Sequence, residues 1–264
     1  MGVQDLFKHE DVEGLRVGRF RLGLTSACIV YRLGNLVIDT GPANQWRQVR
    51  AFLSERRVDR ALITHHHEDH GGNGARLHQA GTRVLAPDHA RPPLAGGFPL
   101  RAYQRWIWGT PARFEAEPLP DSIEEGSWRL QPVAAPGHST DMTCYLEPNR
   151  GWLFSGDLYI AARPRYLRAD EDLTNELTSL RAMLALDFET LFCAHRGPLT
   201  DGRRHLHNKL NYLEDLQGQV RRLQKEGLDA RAITRRLLGR EDLMTLITGH
   251  HFAKHHLVRA CMHP

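Results

Sequence analysis

Residues 65–70, His-His-His-Glu-Asp-His, put four imidazoles and two carboxylates into six positions, directly after the apolar run Ala61-Leu62-Ile63. Imidazole and carboxylate together suit a borderline divalent cation. Zinc is the first expectation, with iron or manganese as alternatives. In an extended segment His65 and His67 point the same way and His66 points opposite. On that alternation His66 and Glu68 read as bystanders. Asp69 and His70 follow where Gly71-Gly72 permits a tight turn. Groups projecting from one strand end cannot complete a tetrahedral site, so further ligands must come from elsewhere in the chain.

Three candidates stand at the ends of apolar strands, each close to a glycine: His138 after "QPVAAPG", Asp157 after "WLFSG" and His195 after "TLFCA". An α/β fold gathers functional groups at strand ends in this way. Near the start of the chain, "LRVGRFRL", "ACIVYRL" and "LVIDTG" read as strands separated by Gly-Leu-Thr-Ser and Leu-Gly-Asn turns. "NQWRQVRAFLSER" reads as an amphipathic helix with Trp46, Val49, Phe52 and Leu53 on one face. "RALIT" is a buried strand running into the histidines, "NGARLHQAG" a helix closed by Gly81, and "TRVLAP" the next strand. "WRLQPVAAPGH", "TCYLEP", "GWLFSGD" and "ETLFCAH" continue the strands. "DLTNELTSLRAMLAL" is a helix with Asp172 or Thr174 as N-cap.

Residues 91–122 are rich in Pro, Gly and aromatics and break this rhythm, which predicts an irregular segment packed over something. Its Phe98, Tyr103, Trp106 and Trp108, with Arg101 and Arg105, are either a substrate-pocket wall or a cap on the core. Tyr159, Arg163, Arg165 and Tyr166 follow Asp157 closely, so some are expected at a pocket mouth. From 203 onward the chain reads as helical. This divides it into a catalytic part, 1–202, and a helical extension, 203–264.

Composition narrows the class. The 264 residues are 41% hydrophobic and 25% charged, ordinary for a globular protein with a real core. The net charge is +4, spread along the chain with no dense Lys/Arg block, so no nucleic-acid partner is expected. No apolar run reaches the ~18–20 residues of a membrane span, and the N-terminus is polar, so the expectation is a cytoplasmic protein with no membrane partner. Cys28, Cys144, Cys193 and Cys261 form no CxxC pair and read as free thiols, the first three buried. His250, His251, His255 and His256 read as helix-terminal and surface residues, and His205 and His207 diverge on a helix.

The motif set resembles the metallo-β-lactamase-fold hydrolases. "THHHEDH" matches their H-x-H-x-D-H pattern, and "VIDTG" (Asp39), "PGHS" (His138), "SGD" (Asp157) and "AHRG" (His195) match their other motifs in order, over roughly residues 15–200. The resemblance implies an α/β, αββα four-layer sandwich followed here by the helical extension. It implies two divalent metal ions. His65, His67 and His138 would hold the first, and Asp69, His70 and His195 the second. Asp157 and a hydroxide would bridge them, Asp39 would steady the histidine loop from behind, and Asp69 would orient the nucleophile.

Within that family, a β-lactamase of this type lacks the aspartate that Asp157 supplies. "THHHEDHGGN" is most like glyoxalase II and its relatives, which hydrolyse acyl thioesters, whereas the helical tail does not match their glutathione-binding tail. The implied activity is a metal-dependent hydrolase of carboxyl thioesters or related esters. A lactonase is the alternative if Tyr159 or Tyr166 faces the metals. A non-catalytic metal-binding regulator acting through the C-terminal helices is the alternative of another class, and an iron dioxygenase a third. The expected partner is a small-molecule substrate, with room for a homodimer through the tail. Trp106, Trp108, Tyr159, Arg163 and Tyr166 are the expected pocket residues.

Overall fold

The computed structural model describes residues 3–20 and 26–262. Most of the Gly23–Ser26 turn, and the end of the strand read over 15–22, lie outside them. The chain separates into two compact units, residues 1–134, 141–160 and 187–202, and residues 135–140, 161–186 and 203–264.

In the first unit a seven-stranded mixed sheet runs in chain order. Its strands are β1 (Val3–His9), β2 (Val12–Gly18), β3 (Cys28–Leu33), β4 (Leu36–Ile38), β5 (Arg60–Leu62), β6 (Arg83–Ala86) and β7 (Glu117–Pro118). The first four pair antiparallel and β4 to β7 pair parallel, with α1 (Trp46–Leu53) and α2 (Gly74–Gln79) in two of the crossovers. The strands of a second mixed sheet are β8 (Ile123–Glu125), β9 (Trp128–Ala134), β10 (Thr143–Glu147), β11 (Trp152–Gly156), β13 (Thr190–Cys193) and β14 (Gly197–Leu199). They lie in the order β14-β13-β11-β10-β9-β8.

Strand β3 shows why both faces of the first sheet are apolar. All six of its residues are buried. Ile29, Tyr31 and Leu33 join a cluster with Leu130, Tyr145, Phe154 and Phe192 of the second sheet. Val30, on the opposite face, packs with Val49 and Phe52 of α1 and Leu77 of α2. A strand buried on both faces loses the polar/apolar alternation of a half-exposed one. Arg32 is the exception in type. It is buried, and its guanidinium donates to the Gly34, Phe52, Leu53 and Arg57 carbonyls, closing the C-terminal end of α1.

The second unit is helical. A short pair, β12 (Leu167–Arg168) with β15 (Phe252–Ala253), accompanies α5 (Leu173–Leu184), α6 (Gly202–Lys225), α7 (Ala230–Leu237), α8 (Leu243–Ile247) and α9 (Lys254–Met262). Asp172 is the N-cap of α5, accepting from the Thr174 and Asn175 N–H groups, as its position suggested. Lys209 of α6 and Glu176 of α5 form a buried ion pair at 2.5 Å.

Two readings, of residues 91–122 and of His251, are corrected, and two features are added. The polar N-terminus carries an edge strand, β1. Edge strands bury little, and its Leu6 points outward. Residues 91–122 are not irregular throughout. They hold α3 (Arg91–Gly96), α4 (Ala102–Trp108) and β7. Pro92 and Pro93 fall in the first turn of α3, where the missing N–H is no loss. His251 is buried, with Nε2 3.3 Å from Asp170, rather than a surface residue. All four cysteines are free and buried, Cys261 included.

Candidate metal centre

Asp39 sits just past β4 with φ of +60°, a conformation Asp adopts more readily than most residues. This turn aims its carboxylate under the histidine loop. Asp39 Oδ1 accepts from Thr64 N at 2.9 Å and Thr64 Oγ1 at 3.0 Å, and Oδ2 lies 2.7 Å from His70 Nδ1. The Thr40 N–H and hydroxyl both donate to the His70 carbonyl. Asn73 Nδ2 contacts the carbonyls of Thr40, Gly41 and Pro42 at 2.9–3.0 Å. The loop is therefore pinned by side chains from the β4 turn on one side and α2 on the other.

The loop itself is not strand. Strand β5 ends at Leu62, and the His70 and Gly71 N–H groups donate to the His67 carbonyl in a turn. The alternation argument for His66 and Glu68 therefore does not hold. Both side chains are instead engaged elsewhere. Asp141 accepts from the His66 N–H at 2.7 Å, and its Oδ2 lies 3.0 Å from the His66 ring Nδ1. Glu68 is buried and accepts from Gln104 Nε2 of α4 at 2.8 Å. Gly72 is required by space, since a Cβ there would lie 2.4 Å from the Glu68 carbonyl and 2.6 Å from that of Gly41.

Donor atoms converge beside this loop. His195 Nε2 lies 3.0 Å from Asp157 Oδ1 and 3.9 Å from Asp69 Oδ2. His70 Nε2 lies 3.4 Å and 3.7 Å from the same two oxygens. Ligand atoms around one ion at about 2.1 Å sit roughly 3.4 Å apart, so this spacing fits a cation. His70 Nε2 is buried and makes no hydrogen bond, which leaves its lone pair for such an ion. Single ligand atoms of His65, His70 and Asp157 lie within 4.8 Å of one another, and so do those of Cys28, Asp69 and His70. The His65 and His67 rings are 4.4 Å apart, edge to face.

In the first unit, second contacts fix the rings. His195 Nδ1 donates to the Ala27 carbonyl at 2.7 Å, and His65 Nδ1 lies 3.0 Å from Thr64 Oγ1. An acceptor on Nδ1 holds the proton there and turns Nε2 into the ligand. Burial opposes the charged form of His70, but the Cys28 sulfur and the Asp69, Asp157 and Asp39 carboxylates outweigh it and hold the imidazole well above its usual value. Burial likewise opposes charge on His195, and Asp157 raises it. The cluster as built is short of positive charge, the condition a cation relieves.

In the second unit His138 Nδ1 lies 2.6 Å from Glu171 Oε1. Burial would raise the Glu171 carboxyl, but the bond to His138 and the Arg168 charge hold it below its ordinary value. Trp108 and Tyr159 are buried, Trp106 is 54% exposed with its ring 4.6 Å from Phe20, and Tyr166 donates to Asp242 in the second unit, which also holds Arg163.

The place of Cys28, Thr64, Asn73, Asp141, Gln104 and Glu171 beside the candidate ligands was not read from the sequence. Thr64 alone carried a local signal, as the residue between an apolar run and the first histidine. Among the described residues no group of three ligand atoms forms at the C-terminal histidines.

Comparison with known proteins matches residues 23–195 to the model of the metallo-beta-lactamase superfamily. A hydroxyacylglutathione hydrolase of Pseudomonas putida is 29% identical over 170 residues, 62% of this chain and 57% of that protein. An atrochrysone carboxyl ACP thioesterase of Aspergillus fumigatus is 24% identical over 195 residues, 70% of this chain and 54% of that protein. The chain thus spans little more than half the length of these relatives. A beta-lactamase domain protein from Burkholderia ambifaria superposes with a TM-score of 0.74 at 18% identity, covering 98% of this chain and 86% of the other. A metallo-beta-lactamase family protein from Thermus thermophilus gives 0.70 at 19% identity, covering 96% and 92%.

Proposed function

This chain belongs to the metallo-beta-lactamase superfamily, and from that membership we propose that it is a binuclear metal-dependent hydrolase of carboxyl thioesters or related esters. The observation that carries the proposal is the convergence of Asp69 Oδ2, His70 Nε2, Asp157 Oδ1 and His195 Nε2 at 3.0–3.9 Å. By their place in the motif order, His65, His67 and His138 would be the ligands of the first cation. Asp69, His70 and His195 would hold the second, with Asp157 as the further carboxylate.

When bound, two divalent cations, zinc by preference, supply an acidified water and polarise the scissile carbonyl. Asp157, with Oδ1 near both His70 and His195, would add a carboxylate to the position those two imidazoles face. Asp69 accepts a hydrogen bond from the attacking water and orients it toward the carbonyl carbon. Asp39 and Glu171 keep His70 and His138 in the tautomer that presents Nε2. The carboxyl thioester class is supported by the names of two relatives, a hydroxyacylglutathione hydrolase and a carboxyl ACP thioesterase.

Lactone hydrolysis is the second reading. Tyr166, whose orientation would favour it, donates instead to Asp242. Purified protein reloaded with Zn²⁺ or Mn²⁺ is tested on an acyl thioester, a simple ester and a lactone, with metal content measured in parallel. Thioester turnover, falling at least roughly a hundredfold in Asp157→Ala, is expected. Protein that takes up no metal, or an Asp157→Ala variant of full activity, removes the proposal. A lactone preference selects the second reading. A metal-loaded protein inert on the whole panel points to a regulator acting through its C-terminal helices.

A further inference from the structure

Helix α8 is built inside out. Its inward residue Thr245, and Thr248 just after it, are buried, with hydroxyls donating to Glu241 Oε2 and the Met244 carbonyl. Its outward residues are all apolar. Leu243, Met244, Leu246 and Ile247 are 69, 37, 67 and 58% exposed. A helix on a globular protein ordinarily turns its apolar stripe inward. Among the described residues the other exposed large hydrophobics are Leu6 and Trp106. Four of six therefore fall within five consecutive positions, a patch rather than scatter.

Exposed arginines stand in the chain just before this helix. Arg235 and Arg236 end α7, and Arg240 precedes Leu243 by three residues; all three are exposed. Arg165 is also exposed and donates to the Leu238 carbonyl where α7 ends. The nearby acids are occupied. Glu241 accepts from the Thr245 hydroxyl and the Lys254 and His255 N–H groups. Asp242 accepts from the Tyr166 hydroxyl and pairs with Lys254 at 2.9 Å.

We propose that α8 is a docking surface for an anionic lipid interface. Its four aliphatic side chains would enter the boundary between headgroups and acyl chains, and the arginines would face lipid phosphates. An apolar face with exposed arginines close before it in the chain matches the two attractions such an interface offers. A second copy of this chain fits less well, because a two-fold contact through this face would bring nearby arginines such as Arg240 toward their own copies. A protein groove fits less well too, since the protruding side chains include none of the aromatic anchors that dominate protein interfaces. The proposal is independent of the reaction catalysed.

The test is co-sedimentation of the full chain with phosphatidylcholine vesicles, and with the same vesicles containing about a third phosphatidylglycerol. Binding at least roughly tenfold stronger to the anionic vesicles, and weakened by added salt, is expected. Leu243→Ser/Leu246→Ser/Ile247→Ser and Arg236→Glu/Arg240→Glu should each lower it by about tenfold or more with unchanged melting temperature. Absence of wild-type binding to anionic vesicles, or binding that the triple serine variant retains, overturns the proposal. So does a dimer in sedimentation velocity that the triple serine variant converts to monomer, which would assign the patch to a second copy.

Discussion

Asp39→Asn separates metal affinity from folding with one atom changed. Asn is among the residues that best tolerate the left-handed backbone found at position 39 (φ +60°), so the turn survives. The amide oxygen can keep the two donors from Thr64, at 2.9 and 3.0 Å. Its NH₂ then faces His70 Nδ1, which lay 2.7 Å from a carboxylate oxygen. Two donors cannot share that position. Either the bond is lost or the imidazole proton moves to Nε2, where it blocks the ligand lone pair. A buried hydrogen bond to a charged group is worth roughly 1.5–3 kcal/mol, and loss of such a supporting partner costs about 10–100-fold in metal affinity, so the two scales agree. The assay is competition of Zn²⁺ against a chromophoric chelator, with circular dichroism and thermal melting of the apoprotein as controls. The expected result is one site weakened by about 10–100-fold and the other changed by less than about threefold. Equal affinity in the variant, or equal loss at both sites, would refute the assignment of Asp39 to His70.

Two further outcomes test the packing. In Gly72→Ala the new Cβ meets three backbone atoms at 2.4–2.7 Å, so a destabilisation above about 2 kcal/mol is expected from thermal or urea unfolding, whereas Gly96→Ala, with open space around it, should change stability by less than about 1 kcal/mol. Burial would raise the Glu241 carboxyl, but bonds from the Thr245 hydroxyl, the Lys254 and His255 N–H groups and the His255 ring hold it at about 2, below its ordinary 4.5. Its contribution to stability is complete above pH 4.5 and fades as pH falls toward 2, so wild type should lose melting temperature faster over that window than Glu241→Gln. Parallel curves would contradict this.

How far the sequence could be read depends on the range of the signal. Ligand types at strand ends are local, which is why Asp69, His70, Asp157 and His195 could be named as candidates and why the family and its fold were recognisable. The supporting contacts are long-range. Glu171 lies 33 residues from His138, and Ala27 lies 168 from His195, and no spacing rule connects them. His66 and Glu68 were set aside for the wrong reason, because a loop was treated as strand; what occupies them is Asp141 and Gln104. The Pro-rich appearance of 91–122 hid α3, since first-turn prolines and interior prolines look alike without the boundary. The outward face of α8 has no local sign, since Leu243, Met244, Leu246 and Ile247 are the residue types of an inward stripe.

The Gln104–Glu68 bond has a consequence for any exchange of parts. Glu68 stands between two candidate ligands, and its hydrogen-bond donor belongs to the 91–122 segment. A chimera that replaces this segment with a relative's would strip a buried carboxylate of that donor, at about 1–3 kcal/mol, unless the incoming helix supplies an amide at the same turn. The segment and the histidine loop are therefore one heritable module. Exchanging this segment on this scaffold means choosing residue 68 together with residue 104.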